Sequence, residues 1–277
     1  MVSQEQRRRQ LAREKFLRQQ QRRTSARRKA RMRNSVIASV LGVVVIGSVA
    51  LYTTGVLKND DDKKTSAGAD VSPSASPSSK APDPCGKPAA GSVKKLSWKK
   101  EPAVTIDTSA KYTMKLATTC GDIDMSLKAS AAPHTVNSFA FLAGKGYFDH
   151  TKCHRLTPEG IFVLQCGDPT ATGSGGPGYT IPDENLKDTS LKGNTYPAGT
   201  VAMANTGQKH TGGSQFFLVY KDSPLPPSYT PFGTITESGM KVLKKIAQAG
   251  AQAADPTTGN TAPNATVVID KATVTKS

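Results

Sequence analysis

Cysteine, histidine and aromatic residues are scarce in this sequence, and each scarcity removes a class of function. The 277 residues include 4 cysteines, 4 histidines and 1 tryptophan, with aromatics at 6%. Cys85, Cys120, Cys153 and Cys166 never approach the C-x-x-C spacing of a structural zinc site. His134, His150, His154 and His210 have no partners at metal-ligand spacing, so no metal is expected. Gly175, Gly176 and Gly178 lie close together, but no strand–glycine–helix order surrounds them, and they read as backbone pivots rather than a phosphate cradle. No internal repeat is present. Acids are short as well, 21 against 37 Lys and Arg, for a net charge of +16.

That basic excess is local. Residues 1–34 carry 13 of the 37 cationic side chains against Glu5 and Glu14, a net of +11, which leaves +5 of the +16 for everything else. Such a block suits a nucleic-acid arm or a membrane-surface tail, and the adjoining segment decides between them. From Val36 to Leu57 the chain reads VIASVLGVVVIGSVALYTTGVL, 22 residues without a charge. About 20 apolar residues cross a bilayer core as a helix. The segment 36–57 is therefore expected to be a transmembrane signal anchor, with 1–35 as its cytoplasmic tail and no nucleic acid as partner. Cationic flanks stay inside, which puts the later residues outside the membrane. The alternative is a secreted product, cleaved near Ala50 after the small-x-small triplet Ser48-Val49-Ala50.

Residues 58–102 are rich in Ser, Pro, Ala and charge and read as a flexible linker, too poor in apolar surface to offset the entropy of ordering. Trp98, near its end, either packs onto the following domain or stays exposed. From residue 103 the pattern changes. Residues 112–117 and 123–127 alternate around Thr118-Thr119-Cys120-Gly121-Asp122, as a β-hairpin does. Apolar residues then recur at helical spacing over 132–143, with Pro133 near the start and Gly144 and Gly146 near the stop. Short strands and glycine-rich loops lead to a second helix over 240–249, and strands over 265–269 and 272–274 close the chain. Many short strands with two separated helices suggest a mainly β domain over 103–277, a closed antiparallel barrel capped by helices. Beyond the membrane, disulfides can persist. Four cysteines allow three full pairings, and free thiols stay open as well. A bonded Cys85 would tie the linker to the domain, and Cys153 and Cys166 fall on neighbouring strands, which suits them as a pair.

Ordered motifs give the domain a likeness. Cys153-His154-Arg155-Leu156 precedes Gly160-Ile161-Phe162-Val163-Leu164-Gln165-Cys166-Gly167-Asp168; then come Gly173-Ser174-Gly175-Gly176-Pro177-Gly178-Tyr179, Ala202-Met203-Ala204-Asn205-Thr206-Gly207, Gly213-Ser214-Gln215-Phe216-Phe217 and Pro231-Phe232-Gly233. Together they resemble the cyclophilin-type peptidyl-prolyl cis-trans isomerases, and the anchor suggests a bacterial, membrane-bound member. The resemblance implies an eight-stranded closed barrel, no cofactor, and proline-containing unfolded or extended polypeptides as partners.

It also implies site residues. Arg155 matches the catalytic arginine and Gln165 the glutamine that orients it. Phe162, Val163, Phe217 and Leu225 match the wall of the proline pocket, although the extra residues 158–160 leave the register of Phe162 open by one position. Phe216 and Phe217 are adjacent, so a strand can turn only one into the pocket, and Phe217 is assigned to it. Ala204, Asn205 and Thr206 match the edge that pairs with the substrate backbone; Gln215 and Tyr229 match groove positions. His154 reads as a buried, hydrogen-bonded residue rather than a catalyst. Valine at 163, threonine at 206 and tyrosine at 229 depart from common family residues. Pro224-Leu225-Pro226-Pro227 lacks the tryptophan that supports cyclosporin binding in many eukaryotic members, so weak cyclosporin binding is expected. The competing reading is a holdase that binds proline peptides with incidental turnover.

Overall fold

A computed structural model of the chain describes residues 82–256 and 259–277. The basic tail, the expected membrane span at 36–57 and most of the linker lie outside the described residues. Among the described residues, no helix is long and apolar enough to cross a membrane.

The fold is mainly β. Strands β1 (Tyr112–Thr118) and β2 (Gly121–Leu127) form a hairpin in continuous register, Tyr112 opposite Leu127 and Thr118 opposite Gly121. Burial alternates along both strands, so Met114, Leu116, Ile123 and Met125 face the core. Helix α1 (Pro133–Gly144) comes next. Its N-terminal cap residue, Ala132, has no side-chain acceptor, and the Glu184 carboxylate supplies the missing one, taking hydrogen bonds from the His134 and Thr135 N–H groups at 3.0 and 2.9 Å. After it come β3 (Thr151–Lys152), β4 (Arg155–Leu156), β5 (Val163–Cys166), β6 (Thr195–Tyr196), β7 (Thr200–Met203), β8 (Phe216–Val219), β9 (Ser223–Pro224) and β10 (Pro231–Ile235). Helix α2 (Glu237–Gln248) starts three residues before the apolar periodicity does, because the Thr236 side chain caps it by accepting from the Gly239 N–H. Strand β11 (Val268–Lys276) ends the chain as one strand rather than two short ones.

The barrel differs from the expected one. Nine strands form a single curled sheet in the order β3-β11-β1-β2-β10-β7-β8-β5-β4, and β6 pairs separately with β9. No ladder joins the edge strands β3 and β4, so the sheet is not closed by strand pairing. The chain itself spans the gap: Cys153 N–H bonds Val267 O beside β11, and His154 N–H bonds Gln165 O on β5. A main core of Phe139, Phe148, Phe216 and Phe232 fills the curl, with ring centroids 4.5 to 6.0 Å apart. A second, smaller apolar cluster of Val163, Tyr196, Ala202, Phe217 and Val219 lies apart from it.

The folded unit begins before residue 103. Cys85 is bonded to Cys120 in the β1–β2 turn, and Cys153 to Cys166. Gly86 N–H bonds Thr119 O, Ala89 N–H bonds the Asp270 carboxylate, and Trp98 lies half-buried against Phe141 and Tyr147. Residues 82–102 therefore form a strap on the domain, not free linker. Their low apolar content hid this, since a disulfide and backbone hydrogen bonds supply the order that hydrophobic burial does not.

Candidate active site

Arg155 and Gln165 stand directly opposite each other on β4 and β5, so their side chains leave the same face of the sheet. The Gln165 Oε1 accepts from Arg155 Nη1 at 3.3 Å, and Gln165 Nε2 donates to Gln215 Oε1 at 2.8 Å. Gln215 in turn donates to Gly175 O at 2.9 Å. An amide relay thus runs from the glycine-rich loop to the guanidinium. Burial lowers the Arg155 pKa from its usual value, with Tyr229 opposing, yet an arginine stays charged in any such setting. Among the described residues Gln165 is its one hydrogen-bond partner, which leaves the other donors available beside the recess that Arg155 lines.

That recess has a volume of about 110 Å³. Ile161, Val163, Phe217 and Leu225 form its apolar wall, and Tyr229 closes one side. The Phe217 and Tyr229 rings meet edge to face at 5.4 Å. Tyr196 fixes Tyr229 from below: its hydroxyl donates to Tyr229 O at 2.7 Å and accepts from Tyr229 N–H at 3.1 Å. Burial pushes the Tyr196 phenol up to about 12, so these bonds persist at any ordinary pH. Arg155, Gln165, Ala204 and Asn205 supply the polar rim. Asn205 is anchored by donating to Ser228 O at 2.8 Å.

A broader groove of about 720 Å³ shares Gln165, Ala204 and Asn205 with the recess. Thr206 and Gln215 line this groove rather than the recess, as does the loop 173–179. The loop is organised by buried Asp168, which accepts from the N–H groups of Thr170, Thr172, Gly173 and Gly175. Burial alone would raise the Asp168 carboxyl; the hydrogen bonds from Thr170, Gly175 and Gly173 outweigh it and hold the pKa below its usual value. A Cβ on Gly175 would lie 1.9 Å from Asp168 Oδ1, which explains glycine there.

Two expectations need correction. Phe162 is not in the recess: its ring lies 5.9 Å from Tyr220, with Lys221 Nζ 4.5 Å from its face. Extended chain alternates sides, so Ile161 shares a side with Val163 and takes the place assigned to Phe162. His154 is buried as expected, 8% exposed, but neither ring nitrogen has a hydrogen-bond partner among the described residues. Ile161 and Asp168 stand in the ordered motifs without an assigned role, and Tyr196 stands in none of them. The two-residue offset from Val163 is the signal that would have found Ile161; Tyr196 is brought in by β6 pairing with β9, which no local pattern announces.

A family profile described as "Cyclophilin type peptidyl-prolyl cis-trans isomerase/CLD" matches residues 113–274. This chain belongs to that family. The cyclophilin domain is 51% identical over 149 residues to a protein of Mycobacterium leprae named "Probable peptidyl-prolyl cis-trans isomerase B", covering 51% of this chain and 50% of the relative. It is 44% identical over 125 residues to "Peptidyl-prolyl cis-trans isomerase B" of Bacillus subtilis, covering 45% and 82%. The matched stretch spans about half the length of the mycobacterial relatives. A solved cyclophilin type isomerase of Cryptosporidium parvum aligns over 60% of this chain and 99% of its own, at 26% identity and a TM-score of 0.48.

In the cyclophilin domain His154 makes a pH-dependent contribution to stability. Burial holds its pKa below the usual 6.5, with Asp168 opposing and Arg155 adding to the shift. The unfolded chain then binds this proton more readily than the folded one, so stability is intact above about 6.5 and is lost as pH falls below it. Thermal melts between neutral and mildly acidic pH should show Tm falling on acidification, and His154→Asn should flatten that part of the curve. An unchanged slope in the variant would remove His154 as its source.

Proposed function

We propose that the cyclophilin domain accelerates rotation about X–Pro bonds in exported or envelope polypeptides and so assists their folding outside the cytoplasmic membrane. The observation that carries this reading is Arg155, held by Gln165 at the rim of an apolar recess. X–Pro rotation is slow because amide resonance must be lost, against a barrier of about 18–20 kcal/mol. No bond is made or broken, so the protein has two tasks. The recess wall of Ile161, Val163, Phe217 and Leu225 grips the proline ring while the preceding carbonyl swings. The Arg155 guanidinium then donates to the prolyl nitrogen as it turns pyramidal and its lone pair localises, an interaction stronger in the twisted state than in either planar one. The polar rim at Asn205 and Gln215 is suited to hold the substrate main chain.

Three further supports bear on location and partners. The uncharged run 36–57 behind a cationic tail suits a single-pass anchor with the N-terminus cytoplasmic. Two disulfides in the domain suit an oxidising compartment beyond the membrane. The sole tryptophan packs on Phe141 and Tyr147 rather than at the recess, consistent with weak cyclosporin binding.

In a protease-coupled assay on a short X-Pro peptide, Arg155→Ala should lower kcat/KM by about 10²–10³-fold, the usual cost of losing one donor aimed at developing charge. Arg155→Lys should recover little, because a flexible ammonium lacks the rigid fork. A wild-type domain that fails to exceed the thermal rate would leave only the holdase reading. Protease added to spheroplasts should digest residues beyond 57 and spare the tail; protection of the domain would overturn the orientation. Calorimetric titration with cyclosporin should give only weak heats, and tight binding would contradict the reading of the rim.

A further inference from the structure

The family match begins at residue 113, yet the strap that precedes it touches the back of the substrate groove at two points. Both contacts centre on Trp98.

The first is with the loop 173–179. Asp168 secures the loop as far as Gly175, and Ile181 N–H bonds Gly212 O beyond it. Between them, the backbone hydrogen bond that reaches the loop is from Trp98 N–H to Pro177 O, at 2.8 Å. The approach is close. Gly178 has a φ of +87°, and a Cβ there would lie 2.3 Å from Ser97 Oγ and 2.7 Å from Trp98 O. Pro177 and Gly178 themselves line the groove on their other side.

The second contact is with the segment 212–215, which packs on the loop: a Cβ on Gly213 would lie 3.1 Å from Pro177 Cδ. The Trp98 ring lies 5.0 Å from Phe141 and 6.0 Å from Tyr147. The Tyr147 hydroxyl hydrogen-bonds Ser214 Oγ at 3.1 Å, and Ser214 donates to Gly167 O at 2.7 Å. Ser214 lines the groove beside Gln215, the residue that joins the loop to Gln165 and Arg155. Trp98 thus backs two adjoining segments of the groove lining without itself lining the groove. The strap's own footing is firm, with Cys85 bonded to Cys120 upstream and the Asn137 side chain accepting from Thr105 N–H downstream.

We propose that Trp98 is a positioning residue for the groove, holding the loop 173–179 and the Ser214–Gln215 segment in place together and hence setting the binding of substrate residues that flank the proline. The proline recess shares no contact with Trp98, so rotation in a minimal peptide does not depend on it. This inference rests on the isomerase reading and adds a substrate-length specificity set by a segment outside the family-matched region.

The test uses the full chain in detergent and exploits Trp98 as its sole tryptophan. An octapeptide with a central proline should shift Trp98 emission saturably, whereas blocked Ala-Pro, which reaches only the recess, should leave it unmoved. Trp98→Ala should raise KM for the octapeptide about tenfold with little change in kcat, while kcat/KM for a blocked tetrapeptide stays within about twofold. Trp98→Phe, which keeps an aromatic ring against Phe141, should restore most of the octapeptide affinity. Equal losses on both substrates, no loss on either, or emission indifferent to the octapeptide would each overturn the proposal. Should Trp98→Ala not fold, the wild-type emission decides alone. Absence of turnover by the wild type on both peptides would sink the isomerase reading instead, so the two failures are distinguishable.

Discussion

A guanidinium beside an apolar recess is useful only if its free donors are aimed without help from bulk water, and Arg155 is aimed by amides. Gln165 faces it across the β4–β5 ladder, Gln215 holds Gln165, and the carbonyl of Gly175 holds Gln215. Each amide in this relay uses its oxygen toward the arginine side and its nitrogen away from it, so the sequence of donors has one direction. That direction requires a donor at one end and an acceptor at the other, here the guanidinium and a backbone carbonyl. Asp168 fixes the acceptor end by gathering the N–H groups of the loop around one buried carboxylate. The recess, the groove and the loop are all organised around this line.

The arginine sits on an edge of the sheet, where strand pairing is short. Strand β4 is two residues long and forms an edge, paired only with β5. What it lacks in ladder bonds is supplied covalently. Cys153, two residues before Arg155, is bonded to Cys166, the neighbour of Gln165. The disulfide therefore ties the two strands together at one end of the arginine–glutamine pair. His154, between the disulfide and the arginine, adds bulk but no side-chain hydrogen bond among the described residues. A buried ring without partners is tolerable only while neutral, and burial keeps it so.

The strap extends the same logic outside the sheet. Residues 82–102 bury little apolar surface apart from Leu96 and Trp98, yet they track along the domain from the Cys85–Cys120 bond to the Asn137 side chain, which donates to Pro102 O. A single large side chain at the right place gives this segment leverage over the groove, because Trp98 reaches the aromatic packing of α1 and the loop backbone together.

Much of the site was legible through the family resemblance, because the motifs that carry it are local. Arg155 and Gln165 lie ten residues apart on adjoining strands, and period-two alternation separates Phe217 in the small cluster from Phe216 in the main core. The β1–β2 hairpin and the body of both helices are dictated by alternation, helical spacing, and Pro and Gly punctuation. Three things waited for the tertiary structure. Ile161 rather than Phe162 lines the recess, because the extra residues 158–160 blur the register that only pairing with β8 settles. The sheet's open edges are bridged by two residues instead of a ladder, a matter of curvature that no strand pattern records. The strap belongs to the domain although its composition reads as linker, since its order comes from a disulfide and hydrogen bonds to residues up to 183 positions away. The ordered motifs, through the resemblance they carry, determined which chemistry to expect; which distant segments back that chemistry depended on three-dimensional closeness, which composition does not encode.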